Sequence, residues 1–297
     1  TASGLSLTHK GNLSIVGRRA AGDKFAVDTA TAEILRDAGR RNAYTLLLDG
    51  VESSHVDLDD PQYLVFEYVR WLGDVIDSLA ASGEPLDTVH LGGGAGTLAR
   101  YVAATRPMSK QIVFEVDAAL VGLVREKLPL PKTRRLRVRV GDARAGLATL
   151  PANSADVVVR DAFRDAQVPP HLATTEFSLL VREKLRPSGV YLLNVADGAP
   201  FFKLGDDLAT LAGIFDWLAV ISEPSVFRGR RHGNLVVAAS NALLPIEAIA
   251  RRVAGGAVQG RVRDHGEARA MARGFRPLHD AGLDPDPGPG PGERPRS

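Results

Sequence analysis

From Thr88 to Ser240 short apolar runs alternate with segments of helical spacing, and this alternation limits the fold more than any other feature of the chain. Runs at 88–91, 111–115, 136–140, 156–160, 189–195, 217–222 and 234–239 read as strands, and 97–105, 118–128, 145–149, 174–186 and 204–214 as helices. Strands taking turns with helices predict a parallel sheet covered on both faces, because each crossover helix buries one side of the sheet it spans. No long helix fits between the last two strands, which predicts an antiparallel end. The first crossover is Val89-His90-Leu91-Gly92-Gly93-Gly94-Ala95-Gly96-Thr97-Leu98-Ala99. A strand that runs into glycines and then into a helix presents backbone N–H groups at a helix N-terminus, where a nucleoside-type ligand can approach.

The loop alone does not choose among such ligands, since Gly94-x-Gly96-x-x-Ala99 also satisfies the loose dinucleotide fingerprint. The acids that follow narrow the choice. Glu115 ends the second strand about twenty residues after the glycines, where a carboxylate accepts from ribose hydroxyls, with Asp117 as the near alternative. Asp142, followed by Ala143, lies just past the third strand and Asp161 just past the fourth. In an open parallel sheet, ligands sit beyond the carboxyl ends of the strands, so these four strand ends are expected to converge on one crevice.

The chain has 297 residues, 44% of them hydrophobic and 24% charged, which is the composition of a globular protein with room for one large domain and an appendage. A net charge of +2 argues for neither nucleic acid nor membrane. The basic run Lys132 to Arg139 alternates with Leu136 and Val138 and interleaves no aromatics, so it reads as a strand with one solvated face. There is no cysteine, which excludes disulfides and thiolate metal sites, and no pair of histidines at metal-binding spacing, so no metal is expected. With no long apolar run and no signal-like start, the expected location is the cytoplasm.

The expected divisions are a flexible arm (1–23), a β-strand domain (24–60), a Rossmann-like nucleoside-binding domain (61–255), a helical extension (256–276) and a disordered Pro/Gly tail (277–297). Within the second, 32–35, 44–50 and 54–58 predict a small antiparallel sheet. Asp59-Asp60-Pro61 predicts the start of a helix running from Tyr63 to about Leu79, with Leu64, Tyr68, Trp71, Leu72 and Val75 as its apolar stripe. Further helices are expected at 245–253 and 267–273.

Leu48-Asp49-Gly50-Val51, the Gly92-x-Gly94-x-Gly96 loop, Glu115-Val116-Asp117, Gly141-Asp142-Ala143 and Asp161-Ala162-Phe163 occur in the order and approximate spacing of the spermidine synthase family. That family is a branch of the class I S-adenosylmethionine-dependent methyltransferase fold, and the resemblance covers residues 30 to 240. It implies an α/β fold: a Rossmann-like seven-stranded class I methyltransferase sheet, its last strand antiparallel, behind a small N-terminal antiparallel β-domain. It also implies a decarboxylated S-adenosylmethionine donor, a small-molecule acceptor that is a polyamine, and usually a homodimer. By resemblance Gly92, Gly93, Gly94 and Gly96 cradle the donor, Glu115 holds its ribose, Asp142 accepts from the adenine amino group, and Asp161 stands beside the reacting carbon.

Three departures bear on the substrates. The family's Gly-Gly-Gly-Asp-Gly loop has Ala95 in place of the aspartate that helps hold the donor's amine. Its second acid after the fourth strand is replaced by Arg164, with Asp165 one step late, and its Tyr-His-Glu or Tyr-Gln-Glu segment becomes Val65-Phe66-Glu67. A guanidinium where a carboxylate gripped a polyamine turns attraction into repulsion, which argues against ordinary spermidine synthesis. Arg160 and Arg164 flanking Asp161, and Arg228-Gly229-Arg230-Arg231-His232, suit a carboxylate or phosphate instead. Ala95 would also tolerate S-adenosylmethionine itself. Glu67, Arg164 and His55 are the acceptor-side candidates, with His171 also bordering the crevice, and His90 reads as packed in its strand. The rival readings are a methyltransferase, a non-catalytic binding or scaffold protein, and an NAD-type oxidoreductase.

Overall fold

The structure is a computed structural model that describes residues 22–164 and 167–283. The expected arm, apart from its last two residues, and the tail from 284 onward lie outside the described residues, as does Asp165.

Four antiparallel strands come first, in the order β1 (Asp23–Ala26), β2 (Thr31–Arg36), β3 (Ala43–Leu48) and β4 (Val51–Asp57). Asp49 and Gly50 join β3 to β4 with φ of 48° and 77°, the two left-handed residues of a tight hairpin that Asp-Gly favours. This sheet packs Leu46 and Val56 against Leu120, Leu123 and Val124. Helix α1 (Glu67–Leu79) then leads into β5 (Thr88–Leu91), α2 (Thr97–Thr105), β6 (Gln111–Glu115), α3 (Ala118–Lys127), β7 (Leu136–Val140), α4 (Ala143–Ala148) and β8 (Ala155–Arg160). After these come α5 (Thr175–Lys184), β9 (Leu185–Asp197), α6 (Phe202–Ala212), β10 (Trp217–Ser222), α7 (Pro224–Phe227) and β11 (Gly233–Ser240). The chain continues through α8 (Ile246–Ala254), β12 (Arg261–Arg263) and α9 (His265–Met271).

The main sheet has the order β12-β10-β11-β9-β8-β5-β6-β7. Strands β7, β6, β5, β8 and β9 are mutually parallel, and β11 inserts antiparallel between β9 and β10. Alternation along β8 shows how the sheet is covered. Val157 and Val159 face the layer that holds Trp71 of α1, and Val158 faces the layer that holds Phe177 of α5. Burying each such side chain contributes roughly 1.5–3 kcal/mol.

Three expectations need correction. The sheet carries an eighth strand, because Arg261-Val262-Arg263 pairs antiparallel with β10; three residues with a single apolar side chain are too short a run to read as a strand. The stretch 256–276 is therefore a strand plus α9, which starts at His265 under a capping box of Asp264 and Glu267. Second, α1 begins at Glu67, four residues after Tyr63. The Asp57 carboxylate accepts from the N–H groups of Asp59 (2.9 Å) and Asp60 (3.0 Å), so the acid-proline signal belongs to an Asx turn. Third, 277–283 is docked rather than loose. The Leu278 carbonyl accepts from Thr175 N–H (2.8 Å), and Arg144 makes a two-pronged pair with Asp280 (2.8 and 2.6 Å).

Among the described residues no helix is long and apolar enough to cross a membrane, and no cluster of three or more His, Asp or Glu is placed to hold a metal ion.

Candidate active site

The carboxyl ends of β5, β6, β7, β8 and β9 open on one side of the sheet, and because β11 runs the other way its first residues reach that same side. A cavity of about 740 Å³ lies there, roofed by the β3–β4 hairpin of the small sheet. Gly92, Gly93, Gly94, Gly96, Glu115, Asp142, Ala143, Asp161 and Arg164 all line it, so the structure brings most of the expected residues together.

Gly92 has φ +98°, and a Cβ on it would run into the carbonyl oxygen of Asp161, so only glycine lets the loop lie against the end of β8. Gly94 (φ +47°) leaves room for the Ser54 hydroxyl, which a Cβ would meet at 2.6 Å. The loop's amides do not simply point at a ligand. Gly93 N–H (2.8 Å) and Gly94 N–H (3.2 Å) donate to Glu115 Oε2, and Asp117 N–H donates to Oε1 (3.1 Å). Glu115 is thereby fixed with lone pairs left for hydroxyl donors. Gly92→Ala is expected to cost about 1–3 kcal/mol of stability through the forced left-handed residue and the clash, and to weaken nucleoside binding; denaturant melts and calorimetry check both.

Asp117 does not reach the cavity. It is buried, accepts from Leu120 N–H at the start of α3 (2.7 Å), and accepts from Asp28 N–H (3.1 Å) and from Thr29 through its N–H (2.9 Å) and hydroxyl (2.8 Å). It caps a helix and ties the small sheet to the main domain, leaving Glu115 alone as the ribose candidate. Asp142 caps α4 through Ala145 N–H (2.8 Å), and its other oxygen pairs with His171 Nε2 (2.8 Å). That hydrogen bond, with the Ala145 N–H, holds the Asp142 carboxyl below the usual range, so it is an ionised acceptor.

Asp161 extends β8 by donating its N–H to the Leu91 carbonyl (2.9 Å), which stations its side chain beside the glycine loop. Its Oδ1 accepts from Asn194 Nδ2 (2.9 Å) and its Oδ2 from the Tyr68 hydroxyl (3.3 Å). Burial pushes the Asp161 carboxyl upward, and these two donors hold it back. Burial first, and the Asp161 charge second, raise the Tyr68 phenol well above its ordinary value, so it stays a donor. The Asn194 side-chain oxygen is buried with no hydrogen-bond partner among the described residues.

Other expected residues lie elsewhere. Arg160 is 1% exposed and points under the sheet, because one step along a strand changes the face; it pairs through two bonds with Asp207 of α6 (2.9 and 2.6 Å). His55 is interior to the small sheet, with Nε2 3.3 Å from Asp37, and does not line the cavity. Glu67 does not line it either; burial, with the Glu223 charge adding to it, raises its carboxyl. The neighbouring Tyr68 takes the position in the site. Of the Arg228–His232 run only His232 lines the cavity, and Arg231 pairs with Glu223. His171 borders the cavity as expected. His90 hydrogen-bonds Gln111 (2.9 Å), and burial pushes it down to about 4, leaving it neutral.

Sequence reasoning missed Tyr68, Asn194 and Lys203 as cavity residues. Tyr68 was counted in the apolar stripe of α1. Asn194 had a readable signal, a lone amide inside Val190-Tyr191-Leu192-Leu193-Asn194-Val195, whereas Lys203 had none.

No family model matches the chain. The crystal structure of a probable spermidine synthase from Corynebacterium glutamicum ATCC 13032 superposes with a TM-score of 0.82 and 32% identity, covering 89% of this chain and 98% of that one. A polyamine aminopropyltransferase from Chromobacterium violaceum is 25% identical over 230 residues, 76% of this chain and 84% of the relative. A spermidine synthase solved with the transition-state analogue AdoDATO shares the fold, with a TM-score of 0.59 at 18% identity over 84% of each chain. With the strand order and the glycine loop already described, these likenesses establish that the chain belongs to the spermidine synthase-like family of transferases.

Proposed function

We propose that the chain transfers an alkyl group from an S-adenosylmethionine-type sulfonium to an amine, with the decarboxylated donor and aminopropyl transfer as the leading form. The observation that carries this reading is Asp161, set where the glycine loop meets the ends of β8 and β9 and held by Tyr68 and Asn194. The open lone pairs of Glu115 are acceptors suited to ribose hydroxyls.

In such a displacement the amine lone pair forms a carbon–nitrogen bond as the carbon–sulfur bond breaks, with its electron pair kept on sulfur. A sulfonium leaving group needs no acid, so the protein's task is to align the amine and take its proton. Asp161 is the group for that proton, and a carboxyl pushed up by burial is a stronger base than an exposed one. It serves only when ionised, so kcat/KM is expected to fall as pH drops through its raised pKa. Tyr68→Phe removes a donor that favours the ionised form. The acid limb should then move to higher pH and neutral-pH turnover should fall up to about ten-fold, the worth of one hydrogen bond to a charged group.

A second form, methyl transfer from S-adenosylmethionine itself, is favoured by Ala95, whose side chain is packed against the small sheet and brings no carboxylate to a donor amine. Calorimetry with S-adenosylmethionine, its decarboxylated form, methylthioadenosine and NAD tests the proposal, and product analysis with each donor separates the two forms. Binding of NAD alone would end the transferase reading, and binding of none would favour a non-catalytic protein.

A further inference from the structure

We infer that the acceptor is an amine that carries an anionic group, a carboxylate or a phosphate, with Lys203 as the partner of that anion. This rests on the transferase reading above and names its second substrate class.

Past Asp161 the cavity is walled by Asn194 and Asp197 of β9, by His232 and Asn234 at the start of β11, and by Lys203 in the first turn of α6. Among the described residues two carboxylates stand at this end. Asp197 is buried and turned toward the start of α6, Oδ1 accepting from Gly198 N–H (2.9 Å) and Oδ2 from Leu204 N–H (2.9 Å). Asp161 is the group that meets the amine. The cavity's other carboxylates, Asp49, Glu52, Glu115 and Asp142, belong to the hairpin and to the ends of β6 and β7. A diamine would therefore bring its second ammonium to Lys203 and find there, among the described residues, only a carboxylate whose two oxygens already serve backbone donors.

Lys203 is exposed to the cavity and makes no ion pair with any described residue. The His232 ring lies against Gly198, where a Cβ would come within 2.7 Å of its Cγ, so the wall beside α6 is closely packed. At the other end the amine meets the Asp161 carboxylate, which the Tyr68 hydroxyl and the Asn194 amide hold in place. An amine at one end and an anion at the other match this polarity, because opposite charges attract at both ends and like charges repel for the diamine.

The test is calorimetry on the full chain saturated with methylthioadenosine, with 4-aminobutyrate, phosphoethanolamine and putrescine as probes. The expected result is that one of the first two binds at least ten-fold tighter than putrescine, and which one it is identifies the anion. Lys203→Glu should weaken that binding at least ten-fold and strengthen putrescine binding, with methylthioadenosine affinity within two-fold. Lys203→Gln should weaken the anionic probe without the gain for putrescine. An acid in the first turn of a helix suits its dipole, so the charge-reversed variant is expected to fold. Putrescine binding best to the unaltered protein, none of the probes binding, or an order that Lys203→Glu leaves unchanged would each overturn the inference. Failure of methylthioadenosine to bind would overturn the transferase reading and this one with it, whereas nucleoside binding with a putrescine preference would overturn this one alone.

Discussion

Asp161→Asn is expected to lower turnover by a factor of about 10² to 10⁴, the range for removal of a general base, while nucleoside affinity stays within about two-fold. The substitution keeps the shape of the side chain and removes its capacity to take a proton. It also creates a local conflict. Tyr68 and Asn194 both donate to the carboxylate, and an amide offers an oxygen to only one of them. Release of methylthioadenosine measures the first effect and calorimetry the second. Turnover within ten-fold of the unaltered protein would remove Asp161 from the mechanism.

The largest effect on stability is expected at the residue just before it. Arg160→Ala should cost about 3–5 kcal/mol, read as a lower urea midpoint, because it strands Asp207 in the interior with both of its bonds lost. Asp207 is only 6% exposed, and the guanidinium also donates to the Leu172 carbonyl (3.0 Å), so the loss cannot be made good by water at little structural cost. Replacing both partners, Arg160→Met with Asp207→Leu, should recover most of it, since apolar groups of similar volume carry no uncompensated charge. A single substitution costing under 1 kcal/mol would show that the pair is not what holds α6 to the sheet.

Arg160 and Asp161 together show what could and could not be read from the chain. Strand ends were legible because β5, β6 and β8 each pass from an apolar run to a turn residue, and the order of the parallel sheet follows from the crossovers. Which side chain faces the ligand is a finer matter. Asp117 resembles Glu115 in sequence context, yet two residues further on it has become the cap of α3 and the anchor of Thr29, 88 positions away. His55 and Glu67 carry ligand chemistry, but tertiary packing places one inside the small sheet and the other outside the cavity lining. The docking of 277–283 escaped detection because it depends on the Thr175, Glu176 and Arg144 side chains and on backbone groups, none of which leaves a periodic trace. Tyr68 was visible as a residue and invisible as a role, since a phenol in an apolar stripe buries its ring whether or not its hydroxyl has work to do.

The Asp117 clasp carries a consequence for assembly. Part of the lining of the ligand chamber comes from the first sixty residues and part from positions beyond 190, so the chamber exists only when segments distant along the chain have met. Neighbours β5 and β8 are likewise separated by two intervening strands that must be laid down on the far side. Such an arrangement closes long loops before it is rewarded with contacts, which slows folding. Recovery of nucleoside affinity should therefore lag behind the return of helical signal when the unfolded chain is diluted from denaturant.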